Sequence, residues 1–233
     1  MIKILQNWEE VGRSIGKLRE KNCGYHPDPI KNWDLIQISD LTKGLDKTSR
    51  ILDMGCGGSA TLGFLHRAGF KKVKGIDFKT LVDRKRQAYF YIKNNFKKPY
   101  SLIRGDLTST KIKNESINLI TCVSVIEHGV HIETFLSECS RILKPQGKLF
   151  VSTDYWDKKL ENDKEIYGLK WNIFSRKEII EFIKYAKLKK LILEKDEEIP
   201  EVKDKVCNWN NKNYTFISLV FKKIKTKNNI FHH

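Results

Sequence analysis

Ile51-Leu52-Asp53-Met54-Gly55-Cys56-Gly57-Gly58 is an apolar strand that runs into an aspartate and then directly into a glycine turn. Glycine tolerates positive φ and has no Cβ, so such a turn lets a ligand approach the backbone closely. A second apolar strand, Val73-Lys74-Gly75-Ile76-Asp77, ends in a carboxylate about twenty residues further on. That is the spacing at which an acid reaches the ribose hydroxyls of a nucleotide cofactor. The two segments together predict a domain that binds an adenosine-containing cofactor.

Working outward, the chain alternates strand and helix. Upstream, Trp8, Val11, Gly12, Ile15 and Leu18 fall at helical spacing, and a second helix is predicted over residues 33–41. After the glycine turn a helix is expected from Ser59 to about Ala68, then a strand over 72–76 and a basic helix over 80–95. Strand three is predicted at 101–104, before Gly105-Asp106. Strand four, at 117–124, is a continuous apolar run, as expected for a strand covered on both faces. A helix carrying Ile132, Phe135, Leu136, Cys139 and Ile142 follows, stopped by Pro145 and Gly147, and strand five spans 148–153.

Residues 154–174 are an aromatic-rich insert. Ser175-Arg176-Lys177-Glu178 is a capping box for another helix, and two final strands, 191–193 and 214–221, have no helix between them. The predicted fold is α/β: one Rossmann-like three-layer domain with a mostly parallel seven-stranded sheet and one antiparallel strand near its end. Residues 1–47 form an N-terminal helical extension, 48–222 the core and 223–233 a basic tail.

The 233 residues are 40% hydrophobic, enough for one full core, and none of the apolar runs reaches the ~18 residues of a membrane span. The five cysteines (Cys23, Cys56, Cys122, Cys139 and Cys207) are odd in number and scattered without a Cys-x-x-Cys pair, which argues against disulfides and a zinc site. The N-terminus turns polar at Gln6-Asn7, so a cytoplasmic location is expected, and with no cluster of carboxylates and histidines of the metal-dependent kind no bound metal is expected. The formal charge of +16 raises a nucleic-acid partner. Its lysines lie in short scattered runs rather than an arginine-dense stripe, which favours a solvated surface.

The order of motifs resembles the class I S-adenosylmethionine-dependent methyltransferases. Leu52-Asp53-Met54-Gly55-Cys56-Gly57-Gly58-Ser59 is close to the family's Asp-x-Gly-x-Gly-x-Gly, with Ser59 at the last glycine position. Gly75-Ile76-Asp77-Phe78, Ile103-Arg104-Gly105-Asp106-Leu107, the strand-four segment ending in Ser124-Val125-Ile126-Glu127-His128, and Arg141-Ile142-Leu143-Lys144-Pro145-Gln146-Gly147 follow in order. The resemblance implies S-adenosylmethionine as cofactor. Asp53 then helps hold its ammonium, Asp77 its ribose, and Asp106 its adenine amino group, with Phe78 and Leu107 about the adenine. Gly55, Cys56, Gly57 and Ser124 complete the cofactor set.

Each assignment has a plainer alternative: Asp106 as a turn cap, Cys56 as a filler of the turn, Phe78 as core. The turn Gly55-x-Gly57-x-x-Ala60 also satisfies a dinucleotide fingerprint, and NAD is the competing cofactor. Asp53, Gly105-Asp106 and the closing antiparallel strand disfavour it. A non-catalytic relative that only binds a partner is the other alternative, against which the acids and glycines stand intact.

His128 is the candidate base, since its ordinary pKa suits proton pickup near neutrality. Glu127 stands beside it as the other candidate, and orientation of the loop is the alternative role for both. His131 and His26 are weaker candidates. The acceptor ranked first is a small-molecule hydroxyl of a sugar or secondary metabolite, followed by RNA and then a protein side chain.

Overall fold

The computed structural model describes residues 1–22, 24–58, 60–78, 100–166, 168–195 and 197–225. The expected helix at 80–95, Cys23, Ser59 and most of the basic tail lie outside them. In chain order the elements are β1 (Ile2–Ile4), α1 (Trp8–Glu20), α2 (Asn32–Thr42), β2 (Arg50–Met54), α3 (Ala60–Arg67), β3 (Lys72–Asp77), β4 (Ser101–Arg104) and β5 (Ile117–Val123). They continue with α4 (Ile132–Ile142), β6 (Leu143–Tyr155), β7 (Glu165–Ile166), β8 (Leu169–Lys170), α5 (Arg176–Leu188), β9 (Leu191–Leu193), β10 (Cys207–Trp209) and β11 (Lys212–Lys223).

The main sheet runs β1-β11-β6-β5-β2-β3-β4, with β9 and β10 also paired to β11. Strands β4, β3, β2, β5 and β6 are mutually parallel, and β11 lies antiparallel to β6 over eight residue pairs from Thr215–Tyr155 to Lys222–Lys148. The expected parallel sheet with an antiparallel strand near its end is therefore present. The sheet has nine strands, however, not seven. The two additions are short: β1 pairs Ile2–Ile4 with Leu219–Ile217 of β11, and β10 folds back on β11 as a hairpin.

Alternation within the strands explains the three layers. Ile51, Leu119 and Phe150 point to the face covered by α2 and α3, where Leu35, Ile38, Phe64 and Leu65 meet them. Their neighbours Leu52, Ile120 and Val151 point to the opposite face, under Phe135 and Leu136 of α4 and Phe182 of α5. Burying a side chain of this size contributes about 1.5–3 kcal/mol, so β5, apolar on both faces, anchors both layers. A third cluster (Leu5, Val11, Trp33, Trp171 and Phe216 among its members) ties the N-terminal extension to the insert.

Local signals set several boundaries. Asn7 caps α1 by accepting from the Glu10 N–H at 3.0 Å, and the Ser175–Glu178 capping box opens α5. Two details differ from the expected pattern. Trp8 belongs to α1 but is 57% exposed, because the helix turns Val11, Ser14 and Leu18 inward. Strand β6 starts at Leu143, paired with Ile117, and the register then jumps to Leu119–Lys148. Residues 144–147 thus bulge out of the ladder, with Gln146 at φ 69°.

From β2 the chain adds β3 on one side and from β5 it adds β6 on the other, so the strand order reverses between these two parallel central strands, which end at the same end of the sheet. In open α/β sheets a crevice forms at that point, outside the carboxyl ends of the strands. The glycine turn and the segment after β5 meet there.

Candidate active site

The first half of the site is built by the ends of β2 and β3. Asp53 stands in β2 with 3% of its surface exposed and accepts a hydrogen bond from Thr121 Oγ1 of β5 at 2.6 Å. Burial raises its pKa to about 7, Thr121 works against the rise, and the nearby Asp77 adds to it. Gly55 follows at φ 74° and Gly57 at φ 41°. The Gly55 N–H donates to the Ile76 carbonyl at 2.8 Å, and the Gly57 N–H donates to Asp77 Oδ2 at 2.9 Å.

Gly55 has a packing reason as well as a conformational one. A Cβ there would lie 2.3 Å from Val125 Cγ2. Cys56 fills the turn from within: it is buried, and its Sγ lies 2.6 Å from where a Cβ on Gly75 would stand. This is the filler role rather than that of an exposed nucleophile.

At the end of β4, Gly105 N–H donates to the Asp77 carbonyl at 3.1 Å, so the third motif abuts the second. Asp106 is exposed, and its Oδ1 accepts from both the N–H and the hydroxyl of Thr108 at 2.8 Å. That oxygen therefore serves a turn. Leu107 is half-buried against the core, and Phe78 is 48% exposed at the end of β3.

The second half of the site lies beyond β5. Ser124 has φ 50°, an uncommon conformation for a residue with a side chain, and such strain clusters at ligand sites. Its N–H donates to the Ser152 carbonyl at 3.0 Å. Glu127 is 1% exposed and accepts from Thr153 Oγ1 at 3.0 Å. Burial, and then the neighbouring Asp154, push its pKa well up. The half-buried His128 forms an isolated bridge with Trp171 of the insert. Burial holds its pKa below the ordinary value, and the Lys31 charge adds to the depression.

Three further charged residues, absent from the sequence-derived set, share this end. Lys31, from the turn before α2, donates its ammonium to Ser124 Oγ and sits 3.6 Å from the centroid of the Phe216 ring. Asp34 on α2 is fully buried, and Asp154 at the end of β6 is 4% exposed. Asp154 Oδ2 accepts from Trp171 Nε1 at 2.7 Å. Burial raises both carboxyls to about 6, with Lys31 opposing the rise in each case. Asp154 was in plain sight at the end of a predicted strand. Lys31 and Asp34 carried no local signal.

The remaining expectations divide. His131 precedes α4 without a side-chain hydrogen bond to its backbone and contacts Thr134 Oγ1 at 3.1 Å. His26 accepts from the Asp28 N–H at 3.0 Å and so orders its own loop. In the insert, Trp171, Ile173 and Phe174 are buried, an anchor for the loop, while the Trp171 N–H reaches Asp154.

A strand-end glycine turn backed by two acids at the switch point defines a Rossmann-like domain for a nucleoside cofactor, and comparison with known proteins makes the class specific. Residues 52–151 match the family described as a methyltransferase domain. A ubiquinone biosynthesis O-methyltransferase of Rickettsia akari is 30% identical over 210 residues, covering 86% of this chain and 77% of that one. Its counterpart in Neisseria meningitidis is 29% identical over 104 residues, a match that spans only 43% of the relative's length. Among solved structures, geranyl diphosphate C-methyltransferase from Streptomyces coelicolor, in complex with S-adenosyl-L-homocysteine, is similar with TM-score 0.62 at 13% identity, covering 85% of each chain. Phosphoethanolamine N-methyltransferase 2 of Haemonchus contortus, in complex with S-adenosyl-L-methionine, gives TM-score 0.60 at 16% identity over 83% of this chain and 53% of that one.

The chain belongs to the class I S-adenosylmethionine-dependent methyltransferases. Membership of that family makes S-adenosylmethionine its cofactor. Among the described residues no helix is long and apolar enough to cross a membrane.

Proposed function

We propose that this protein methylates the hydroxyl of a small molecule, a sugar or another metabolite. The observation that carries the reading is the position of His128. It follows the end of β5, in the same short segment as Ser124, with its pKa held below the ordinary histidine value. At neutral pH the ring is uncharged and able to take a proton. The relatives from Rickettsia and Neisseria bear names that specify methylation at oxygen, which supports a hydroxyl as the acceptor group.

The residues present fit the cofactor. Gly57 leaves the backbone of the turn open, the nearest atom to the place of a Cβ being the Gly55 carbonyl at 3.9 Å, the buried Asp53 suits an ammonium, and Asp77 suits a pair of hydroxyls. When bound, S-adenosylmethionine supplies a methyl group made electrophilic by its sulfonium. The protein's own work is alignment and proton removal. Asp77 is fixed by the Gly57 N–H, so the turn and the ribose-binding acid hold one another in register. Glu127, held by Thr153, braces the loop through its carbonyl, which accepts from the Asn172 N–H at 2.8 Å. His128 takes the proton from the acceptor hydroxyl.

Calorimetric titration with S-adenosylhomocysteine, with NAD in parallel, tests the reading. Micromolar binding of the first and none of the second is expected. Binding of NAD alone would overturn it.

A further inference from the structure

His128 sits in the irregular segment between β5 and α4, and a ring that must meet a substrate proton from a loop has to be held there by its neighbours. The insert supplies that hold. His128 and Trp171 form an antiparallel bridge, and the Asn172 N–H donates to the Glu127 carbonyl at 2.8 Å. That bond flanks the pair rather than joining it. In pairs of this kind the two side chains leave the same face, with Cβ atoms about 4.5–5.5 Å apart. The imidazole and the indole are therefore cross-strand neighbours.

Trp171 is in turn tied down at each of its polar groups. Its backbone N–H donates to the Lys164 carbonyl at 3.0 Å, and its carbonyl accepts from Asn162 Nδ2 at 3.2 Å. The indole N–H donates to Asp154 Oδ2 at 2.7 Å. Trp209 and Tyr214 pack edge-on against the ring, with centroids at 4.9 and 5.7 Å, and the residue has no exposed surface.

Packing alone does not account for the indole bond. A buried indole needs an acceptor, and a neutral carbonyl would serve. Asp154 is instead a carboxylate, 4% exposed and costlier to bury than a carbonyl. Hydrogen bonds to an ionised acceptor are about twice as strong as neutral ones. Strand β6 lies beside β5 in the sheet, so this bond pins the insert to the strand next to the one that His128 follows. One side chain thus joins the insert, the end of β6 and the loop after β5.

We propose that Trp171 is the positioning residue of His128: its indole, held by Asp154, fixes the loop after β5 so that the imidazole faces the acceptor hydroxyl. This deepens the reading of His128 as the base, on which it rests. Asp154 acts at one remove, by aiming the indole.

Trp171→Phe in the full chain keeps an aromatic ring and removes the N–H. The first readout needs no acceptor: the titration of the His128 ring followed by NMR, with His128→Ala identifying its signal. The wild-type ring titrates below the ordinary histidine value, and in Trp171→Phe it should move up towards that value as water reaches the loosened loop. The Lys31 charge, which also depresses it, is untouched by the substitution. The second readout is turnover with labelled S-adenosylmethionine and the small-molecule extract of the cells that make the protein. A catalytic group misplaced by about 1 Å costs up to about a hundredfold, so turnover should fall at least about tenfold while S-adenosylhomocysteine affinity stays within about twofold. An unchanged His128 titration in a Trp171→Phe protein that binds S-adenosylhomocysteine overturns the proposal. Should that variant not fold, Asp154→Leu and Asp154→Asn decide the same question. Asp154→Leu removes the acceptor and should shift the His128 titration, and Asp154→Asn keeps an oxygen for the indole and should shift it far less; equal behaviour of the two overturns the proposal. Wild-type turnover in His128→Ala overturns instead the base reading underneath. Loss of turnover in His128→Ala with none in Trp171→Phe overturns the positioning role alone.

Discussion

The Gly57 N–H donates to Asp77 Oδ2 at 2.9 Å, so the glycine turn after β2 is fastened to the acid that ends β3. The carboxylate that fixes the turn is the one proposed above to hold the ribose. Asp77→Ala should weaken S-adenosylhomocysteine binding by about 1.5–3 kcal/mol, roughly ten- to a hundred-fold. Asp77→Asn, which keeps an acceptor for the Gly57 N–H, should recover part of that loss. Calorimetry on the three proteins checks both statements, and unchanged affinity in Asp77→Ala would remove the ribose assignment.

Gly55 is tested through stability. A methyl group at this position meets Val125 at 2.3 Å and must adopt φ 74°. Backbone strain of this kind costs of order 1–3 kcal/mol, and the clash adds to it. Gly55→Ala should lower the unfolding free energy by at least ~2 kcal/mol in urea titrations. Adding Val125→Ala should relieve the clash and leave the strain, so the double variant recovers only in part.

The legible parts of the fold were those encoded locally. Strands β2, β3 and β4 each run into a glycine or an acid, β5 is a continuous apolar run, and β4 at Ser101–Arg104 matches its expected span. The capping box at Ser175–Glu178 was equally readable. The short strand β1 was not, because its partner Leu219 lies at the other end of the chain and three residues carry no period. The site divides the same way. The acids and glycines at the ends of β2, β3 and β4 follow their strands in sequence. Lys31 and Asp34 reach the segment after β5 only through the packing of α2 onto β6 and β11, where Gln37 accepts from the Ser218 hydroxyl at 2.8 Å. Asp106 shows the limit of a motif: the Gly-Asp pair is where it was expected, yet one of its oxygens holds Thr108.

Proton linkage separates the buried acids from the histidine. Asp53 titrates at about 7, and Asp34 and Asp154 at about 6, all raised first by burial. From the ordinary carboxyl range up to these values the folded protein binds more protons than the unfolded chain. Their contribution to stability is therefore full below the ordinary range and is lost as pH rises through about 6 to 7. His128 acts the other way: its lowered pKa makes the folded state bind fewer protons, a penalty that grows as pH falls below the ordinary histidine value. Glu127, also raised by burial, acts in the same direction as the three aspartates, so with four acids against one imidazole the ligand-free protein should be more stable near pH 5 than near pH 7.5. Asp53→Asn should flatten the upper part of that slope. Melting temperatures across this range provide the check, and a slope of the same steepness in Asp53→Asn would contradict the burial of that charge.

His128→Ala tests the chemical step against the cofactor contact. A general base contributes typically 10²–10⁴-fold to turnover, so kcat should fall by about that amount. Affinity for S-adenosylhomocysteine should change by less than about threefold, because the proton taken up by His128 belongs to the acceptor. The pH profile gives a second reading. In the wild type the acid limb of kcat/KM should turn below the ordinary histidine pKa, the direction set by burial and by the Lys31 charge. That limb should vanish in the variant. Lys31→Met removes the second cause and leaves the first, so its acid limb should move upward towards the ordinary value without reaching it. Equal losses of turnover and cofactor affinity in His128→Ala would instead place the ring against the cofactor. Glu127→Gln completes the comparison: it keeps the acceptor oxygen that Thr153 uses, and it should lower turnover far less than His128→Ala if Glu127 braces the loop and His128 carries the proton.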